Sequence, residues 1–289
     1  MIPPQESARP APNYTPVPQR WRIGIAVLST RLFRVTAIVV RHRDLGETDQ
    51  ILTLLSRQRG KLGAVAKGVK RPKSKLAAAT QLFCHSRLLI AQGRNLDVVS
   101  QAEIVDSFYD LRADLTRVAY ASYFAELADA VVQERQPCEP IFDLLLAALR
   151  RLAAPAPADD PEPLARVFEL GLLAASGFEP EWSACAHCGD QVADAPGGFS
   201  PALGGVVCRA CAPRVPGLRP LGPAALQAAR RFARAAPGLL PQADLPPRDR
   251  AQLRAALRSH LEYRLDRRIR SLRFIDELSA DSRREQPDA

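Results

Sequence analysis

Lysine is missing from this chain except in one window. Of the 40 basic residues in 289, lysine occurs only at Lys61, Lys67, Lys70, Lys73 and Lys75, and every other cation is an arginine. Long apolar runs are missing too. No segment approaches the ~18 apolar residues that a membrane-spanning helix needs, and no basic amphipathic helix carries the lysines, so a membrane partner is not expected. The opening residues Met1-Ile2-Pro3-Pro4 show no basic start followed by an apolar core, which argues against a secretory signal and for a cytoplasmic chain. Histidine is scarce, at positions 42, 85, 187 and 260 only, and no nucleophile stands in an elbow or triad setting. Gly63 to Gly68 imitates the opening of a phosphate loop, but Val69-Lys70 follows where Lys-Ser/Thr is required, so no ATP site is implied. The expectation is a protein that is not an enzyme. The enzymatic alternative rests on Asp44, Glu47 and Asp49, which could collect a magnesium ion as in a nuclease. The competing reading has them cap the loop after the first strand and pair with nearby arginines.

What is present is unevenly placed. The formal net charge is +9, yet residues 31–100 hold 14 Lys and Arg against 4 Asp and Glu, while residues 101–289 hold 23 against 26. The basic surface therefore belongs to the first folded domain, and a polyanion, nucleic acid first, is the partner that such a field attracts. At 289 residues the chain is too long for one comfortable core and suggests two or three domains.

Residues 1–30 carry Pro3, Pro4, Pro10, Pro12, Pro16 and Pro18 and read as a disordered Pro-rich extension. From Phe33 the texture turns to short β-type runs: Phe33 to His42, Gln50 to Ser56, Lys61 to Val69, Leu82 to Ala91 and Leu96 to Glu103, with a helix-like segment, Ser74 to Gln81, between the third and fourth. The order β-β-β-α-β-β over residues 31–105 is that of an OB-fold, a small Greek-key barrel that binds oligonucleotides. The lysines fall on its third strand and exit loop, where Pro72 forbids regular pairing. Lys61, Lys67, Lys70, Arg71, Lys73 and Lys75, with Arg57 and Arg59 from the adjoining turn, are the candidate phosphate contacts, because a lysine is a compact charge that needs no fixed fork geometry. The plainer reading of such a run is a solvated, solubilising loop. Aromatic residues in the barrel are only Phe33 and Phe83, so phosphate contact should outweigh base stacking.

Beyond Asp106 the periodicity becomes helical. Residues 106–180 read as the first part of a helical domain and residues 217–280 as its second part. Leu253, Leu257, Leu261, Leu265, Ile269 and Leu272 stripe one long last helix, and a polar tail occupies 281–289. Arg264, Arg267, Arg268 and Arg270 give that helix a basic rim or merely a solvated face. Between the two parts, at 181–216, Cys185-Ala-His-Cys188 and Cys208-Arg-Ala-Cys211 form two C-x2-C pairs 19 residues apart. Two thiolate pairs on knuckle turns, joined by an interval long enough for a β-ribbon, predict one structural zinc per chain held by Cys185, Cys188, Cys208 and Cys211. His187 reads as a bystander, and Cys84 and Cys138 as buried or incidental thiols. The fold class is thus α+β: an N-terminal OB-fold barrel, then an α-helical domain with an inserted four-cysteine zinc ribbon.

Several strings, Gly46-Glu47-x-Asp49, Leu54-Leu55-Ser56, Gly60-Lys61 and Ala66-Lys67-Gly68-x-Lys70-Arg71-x-x-Ser74, followed by helices and a four-cysteine ribbon, resemble the RecO family of bacterial recombination mediators. The resemblance covers roughly residues 33 to 275. It implies a DNA repair protein of the RecF pathway that binds single- and double-stranded DNA and anneals complementary strands. It implies as partners RecR and the C-terminal tail of single-strand-binding protein, with the recombinase filament reached indirectly, and a nucleoid-associated, cytoplasmic location. The rival from another class is an RNA-binding or ribosome-associated zinc-ribbon OB-fold protein.

Overall fold

The structure, a computed structural model, describes residues 32–154, 160–235 and 245–284. The Pro-rich head, most of the linker around 155–159 and the last five residues lie outside the described residues.

Five strands close into an OB-like barrel. β1 (Leu32–Leu45), β2 (Asp49–Ser56) and β3 (Gly60–Ala66) form an antiparallel meander; β4 (His85–Ala91) pairs with β1 and β5 (Asp97–Asp106). A short parallel contact of Ala64 and Val65 with Asp97 and Val98 completes the order β1-β2-β3-β5-β4. The period-2 alternation dictates the filling: Val35, Ala37 and Val39 of β1, Leu52 and Leu54 of β2, Leu62 and Ala64 of β3 and Leu88 and Ile90 of β4 point inward to one core. The intervening Ile38, Val40 and Leu55 are buried as well, because the outer face of β1 and β2 lies against the helices. One extra residue enters β1 at Val40, where pairing steps from Val39↔Leu54 to Arg41↔Thr53.

The segment expected to be helical, Ser74 to Gln81, is a chain of turns. Ser74 N–H donates to Arg71 O, Ala77 N–H to Ser74 O and Thr80 N–H to Leu76 O, while the Ser86 hydroxyl takes the carbonyl of Ala79. Eight residues are too few to offset helix nucleation, and the side-chain bond from β4 competes for the backbone.

The helices α1 (Leu115–Val131), α2 (Glu139–Ala153), α3 (Glu162–Ala175), α4 (Pro223–Ala233), α5 (Pro247–Leu265) and α6 (Ser271–Arg284) build the second core. Asp114 caps α1 by accepting from Arg117 N–H, and Gly177 at φ +75 closes α3. The single long last helix expected from the leucine stripe is two. Asp266 turns the chain at φ +49, and the Glu126 carboxylate of α1 then accepts from the N–H groups of Arg270 and Ser271 and from the Ser271 hydroxyl, so α6 starts afresh on a cap supplied from across the core. α6 continues to Arg284, into the stretch read as polar tail.

Between α3 and α4 sits a two-stranded ribbon, β6 (Pro196–Ser200) and β7 (Gly205–Cys208). Phe199 anchors it, stacked on Trp182 at 5.1 Å and edge-on to His260 of α5 at 5.6 Å.

Candidate nucleic-acid interface and metal centre

β3 stops at Ala66, and Gly68 at φ +61 starts a run of turns in which Val69 is buried as an anchor. Asp49, at the start of β2, holds this run: its carboxylate accepts from Gly68 N–H at 2.8 Å and from the Thr48 hydroxyl at 2.8 Å. Those bonds, with Arg71 and Lys67 nearby, hold its carboxyl below the usual range. Asp44 at the end of β1 is lowered likewise, mainly by the bond from Lys70 Nζ at 2.8 Å and then by that from Gln50. Asp44 and Asp49 are thus tied to the lysine turn itself rather than drawn together around one cation.

The eight candidate cations divide. Lys67, Lys70, Arg71, Lys73 and Lys75 are exposed on one continuous turn, and of these only Lys70 has an ion-pair partner among the described residues. The other three point elsewhere. Lys61 faces the helices, with Nζ 2.7 Å from the Asp129 carbonyl oxygen and 3.2 Å from its carboxylate. Arg57 pairs with Asp143 of α2 at 3.1 Å, and Arg59 lies over the Phe33 ring at 4.1 Å. Arg41 and Arg43, exposed with His42 along the second half of β1, are further cations outside the candidate set. The signal was there in the run R-H-R at the end of an apolar strand.

At the ribbon, the sulfurs of Cys185, Cys188, Cys208 and Cys211 all lie within 4.8 Å of one another, and Cys188 and Cys208 are 3.9 Å apart. A tetrahedral zinc with Zn–S of about 2.3 Å has an S···S edge of about 3.8 Å, so the four fit one metal. The knuckle is prebuilt: Gly189, at φ +84, donates to Cys185 O, and Cys208 N–H points at Cys185 Sγ at 3.3 Å. Burial opposes the Cys185 thiolate, yet the N–H groups of Cys208, Cys188 and His187 aimed at the sulfur bring its pKa down to about 6. His187 is exposed and stands outside the set. Cys84 is buried, with Ser86 and the Asp106 carbonyl as neighbours, and Cys138 is half-buried ahead of α2. No helix among the described residues is long and apolar enough to cross a membrane.

Two family models match the chain: Recombination protein O N terminal over residues 30–108 and Recombination protein O C terminal over residues 112–273. Among curated proteins, the DNA repair protein RecO of Symbiobacterium thermophilum is 42% identical over 249 residues, spanning 86% of this chain and 98% of its own. That of Pelotomaculum thermopropionicum is 42% identical over 249 residues, 85% of this chain and 94% of its own. That of Desulforudis audaxviator is 46% identical over 196 residues, 68% and 76% of the two chains.

Proposed function

Because the chain belongs to the RecO family, we propose that it is a DNA repair and recombination mediator of the RecF pathway, which binds single- and double-stranded DNA through the lysine turn of its barrel and promotes annealing. The observation that carries this reading is the turn itself: five exposed cations on a backbone pinned by Asp49, at the open end of β3. The work requires no covalent step. Phosphates neutralised on two strands no longer repel each other, and base pairing supplies the drive. Zinc fits the ribbon as a structural ion, one per chain, closed by four sulfurs with no position left for a substrate. In this reading residues 31–105 carry the main DNA contacts, and other faces of the helical domain receive protein partners, RecR and the acidic, hydrophobic-ended tail of single-strand-binding protein, so that recombinase is loaded near the nucleoid in the cytoplasm.

The test is the salt dependence of binding. About five phosphate contacts at about −0.7 each give a slope near −3.5 for log affinity against log salt on single strands, nearly independent of base sequence. Reversing Lys70, Lys73 and Lys75 to Glu is expected to flatten the slope by about 2 and slow annealing without changing zinc content. A triple variant that binds and anneals like the parent would make the turn a solubilising loop, and a strong preference for structured RNA over DNA would favour the ribosomal class instead.

A further inference from the structure

Beside the barrel lies a cleft of about 730 Å³ that the lysine turn does not line. Arg41 comes to it from β1, Glu126 and Asp129 from α1, and Arg267, Arg268 and Arg270 from the connection between α5 and α6. Two departures from regular backbone line it, the extra residue at Val40 and Phe83 at φ +68, and a third, Asp266 at φ +49, immediately precedes its arginines. Strained positions of this kind persist only where the surrounding structure imposes them, and they gather at binding sites. The first lies next to Arg41, and the third stands at the head of the connection that carries the three other arginines.

The acids of the cleft offset these cations only in part: Glu126 keeps its charge, its pKa held low, against burial, by the bonds from Ser271 and Arg270, whereas that of Asp129 is met by Lys61 from outside the cleft. Both Glu126 oxygens accept from the start of α6. Arg267 donates to the Glu126 backbone carbonyl, whereas Arg41, Arg268 and the Arg270 side chain have no ion pair among the described residues. Each guanidinium presents five N–H donors in a planar fork suited to phosphate.

Two anionic occupants suit such a rim, a nucleic-acid backbone and an acidic peptide ending in apolar side chains. The floor decides between them. Its apolar residues are Val40, Leu82 and Phe83, and Val40 and Phe83 are already 7% and 3% exposed, packed into the helical core. An apolar peptide end would gain little by burial here, while a phosphate chain needs only the rim. Position points the same way. Arg41 is three residues from Asp44, the partner of Lys70, which at ~3.3 Å per residue is about 10 Å along β1, of the order of the ~12 Å width of a major groove. Exposed His42 and Arg43 fill the interval.

We propose that this cleft holds the backbone of a second DNA strand, alongside the strand on the lysine turn, so that one chain presents two strands to each other for annealing. The inference rests on the reading of the turn as the first site.

The test uses the full chain and short oligonucleotides that cannot pair, titrated at low salt, together with annealing of complementary strands. The parent should saturate at two strands per chain. Arg41→Gln with Arg268→Gln, which keep long polar side chains, and Arg41→Glu with Arg268→Glu should saturate at one strand, keep the first-strand affinity within about twofold and anneal about tenfold more slowly. Cleft variants that still take two strands and anneal at the parental rate would overturn the inference, as would loss of first-strand affinity as deep as in the lysine-turn variant, which would mean one continuous track. An acidic peptide with an apolar carboxy-terminal end that binds the parent and not the cleft variants, with DNA stoichiometry unchanged, would give the cleft to a protein. Failure of the first site shows in a different protein: a lysine-turn variant that binds like the parent removes the premise whatever the cleft variants do.

Discussion

Among single residues, Lys61 and Lys70 show how one lysine window divides between two surroundings. Both looked equivalent as members of a basic run, but alternation along β3 sends Lys61 to the helices, where it and Asp129 each keep only 21% of their side-chain exposure. Lys61→Met should therefore cost about 1–3 kcal/mol, since it leaves a half-buried carboxylate without its donor. The urea midpoint should fall while the salt slope for DNA stays at the parental value. Lys70→Met should do the reverse, and a Lys61 variant with unchanged stability and a flatter slope would restore it to the DNA surface. The lysine window itself was legible in the sequence. Asp129, 68 residues away, was not, because only the packing of α1 on the barrel brings it near.

His260 belongs to the same scale. It is fully buried, with Nε2 3.0 Å from the Phe178 carbonyl oxygen and Nδ1 3.4 Å from that of Pro201. Burial depresses its pKa below the usual histidine value, and Arg264 adds to the effect; burial and Arg150 do the same to His85. Unfolded histidine titrates near ~6.5, so as pH falls below that value the unfolded chain takes up protons that the native chain refuses. This part of the stability is fully present above about pH 6.5 and is lost on acidification toward the lower native pKa values. Stability measured at falling pH should therefore drop less steeply in His260→Gln than in the parent, and equal slopes would show that the ring carries no such linkage.

The ribbon, the break between α5 and α6, and the turns after Pro72 differ at the scale of elements in how far their determinants are spread along the chain. All four ribbon cysteines lie within one short segment, which is why their spacing alone foretold the convergence of sulfurs. The cap of α6 comes from Glu126, 145 residues before Ser271, and no leucine stripe can report it. The turns at 74–81 failed as a helix for want of length, and the Ser86 bond that helps hold them comes from the next strand. For the ribbon the expected magnitudes are large: zinc binding to such thiolate sets is worth about 10–16 kcal/mol in small peptides, more than a two-stranded ribbon's own core supplies. Cys188→Ser should lose the metal and loosen Trp182 from Phe199, seen as lower zinc per chain and altered tryptophan fluorescence. Full zinc content in that variant, or zinc-free parent protein with an intact ribbon, would contradict a structural metal.

For the whole molecule, the order of barrel, helices and ribbon was readable because each has its own periodicity or spacing. The seam between barrel and helices was not, and it changes what can be tested. Ile38, Val40, Leu55 and Phe83 belong by sequence to the barrel and by packing to the helical core. Gly60, at φ +64, admits no Cβ because the Gln136 carbonyl oxygen stands 1.8 Å from where it would lie. Asp97 at the start of β5 is fully buried and draws a guanidinium from Arg135 at 3.1 Å. Cutting the chain after Asp106 would uncover four large apolar side chains at about 1.5–3 kcal/mol each, an upper estimate of about 6–12 kcal/mol. Whole domains are stable by only about 5–15 kcal/mol, so the loss is of the size of the barrel's entire stability. Residues 32–106 alone are therefore expected to show no cooperative urea transition, or one far below that of the full chain, even though the fragment contains every strand of the barrel and every lysine. DNA contacts must then be mapped by charge reversal in the intact protein. A fragment that unfolds cooperatively at the parental midpoint would show that the barrel owes nothing to the helices packed against β1 and β2.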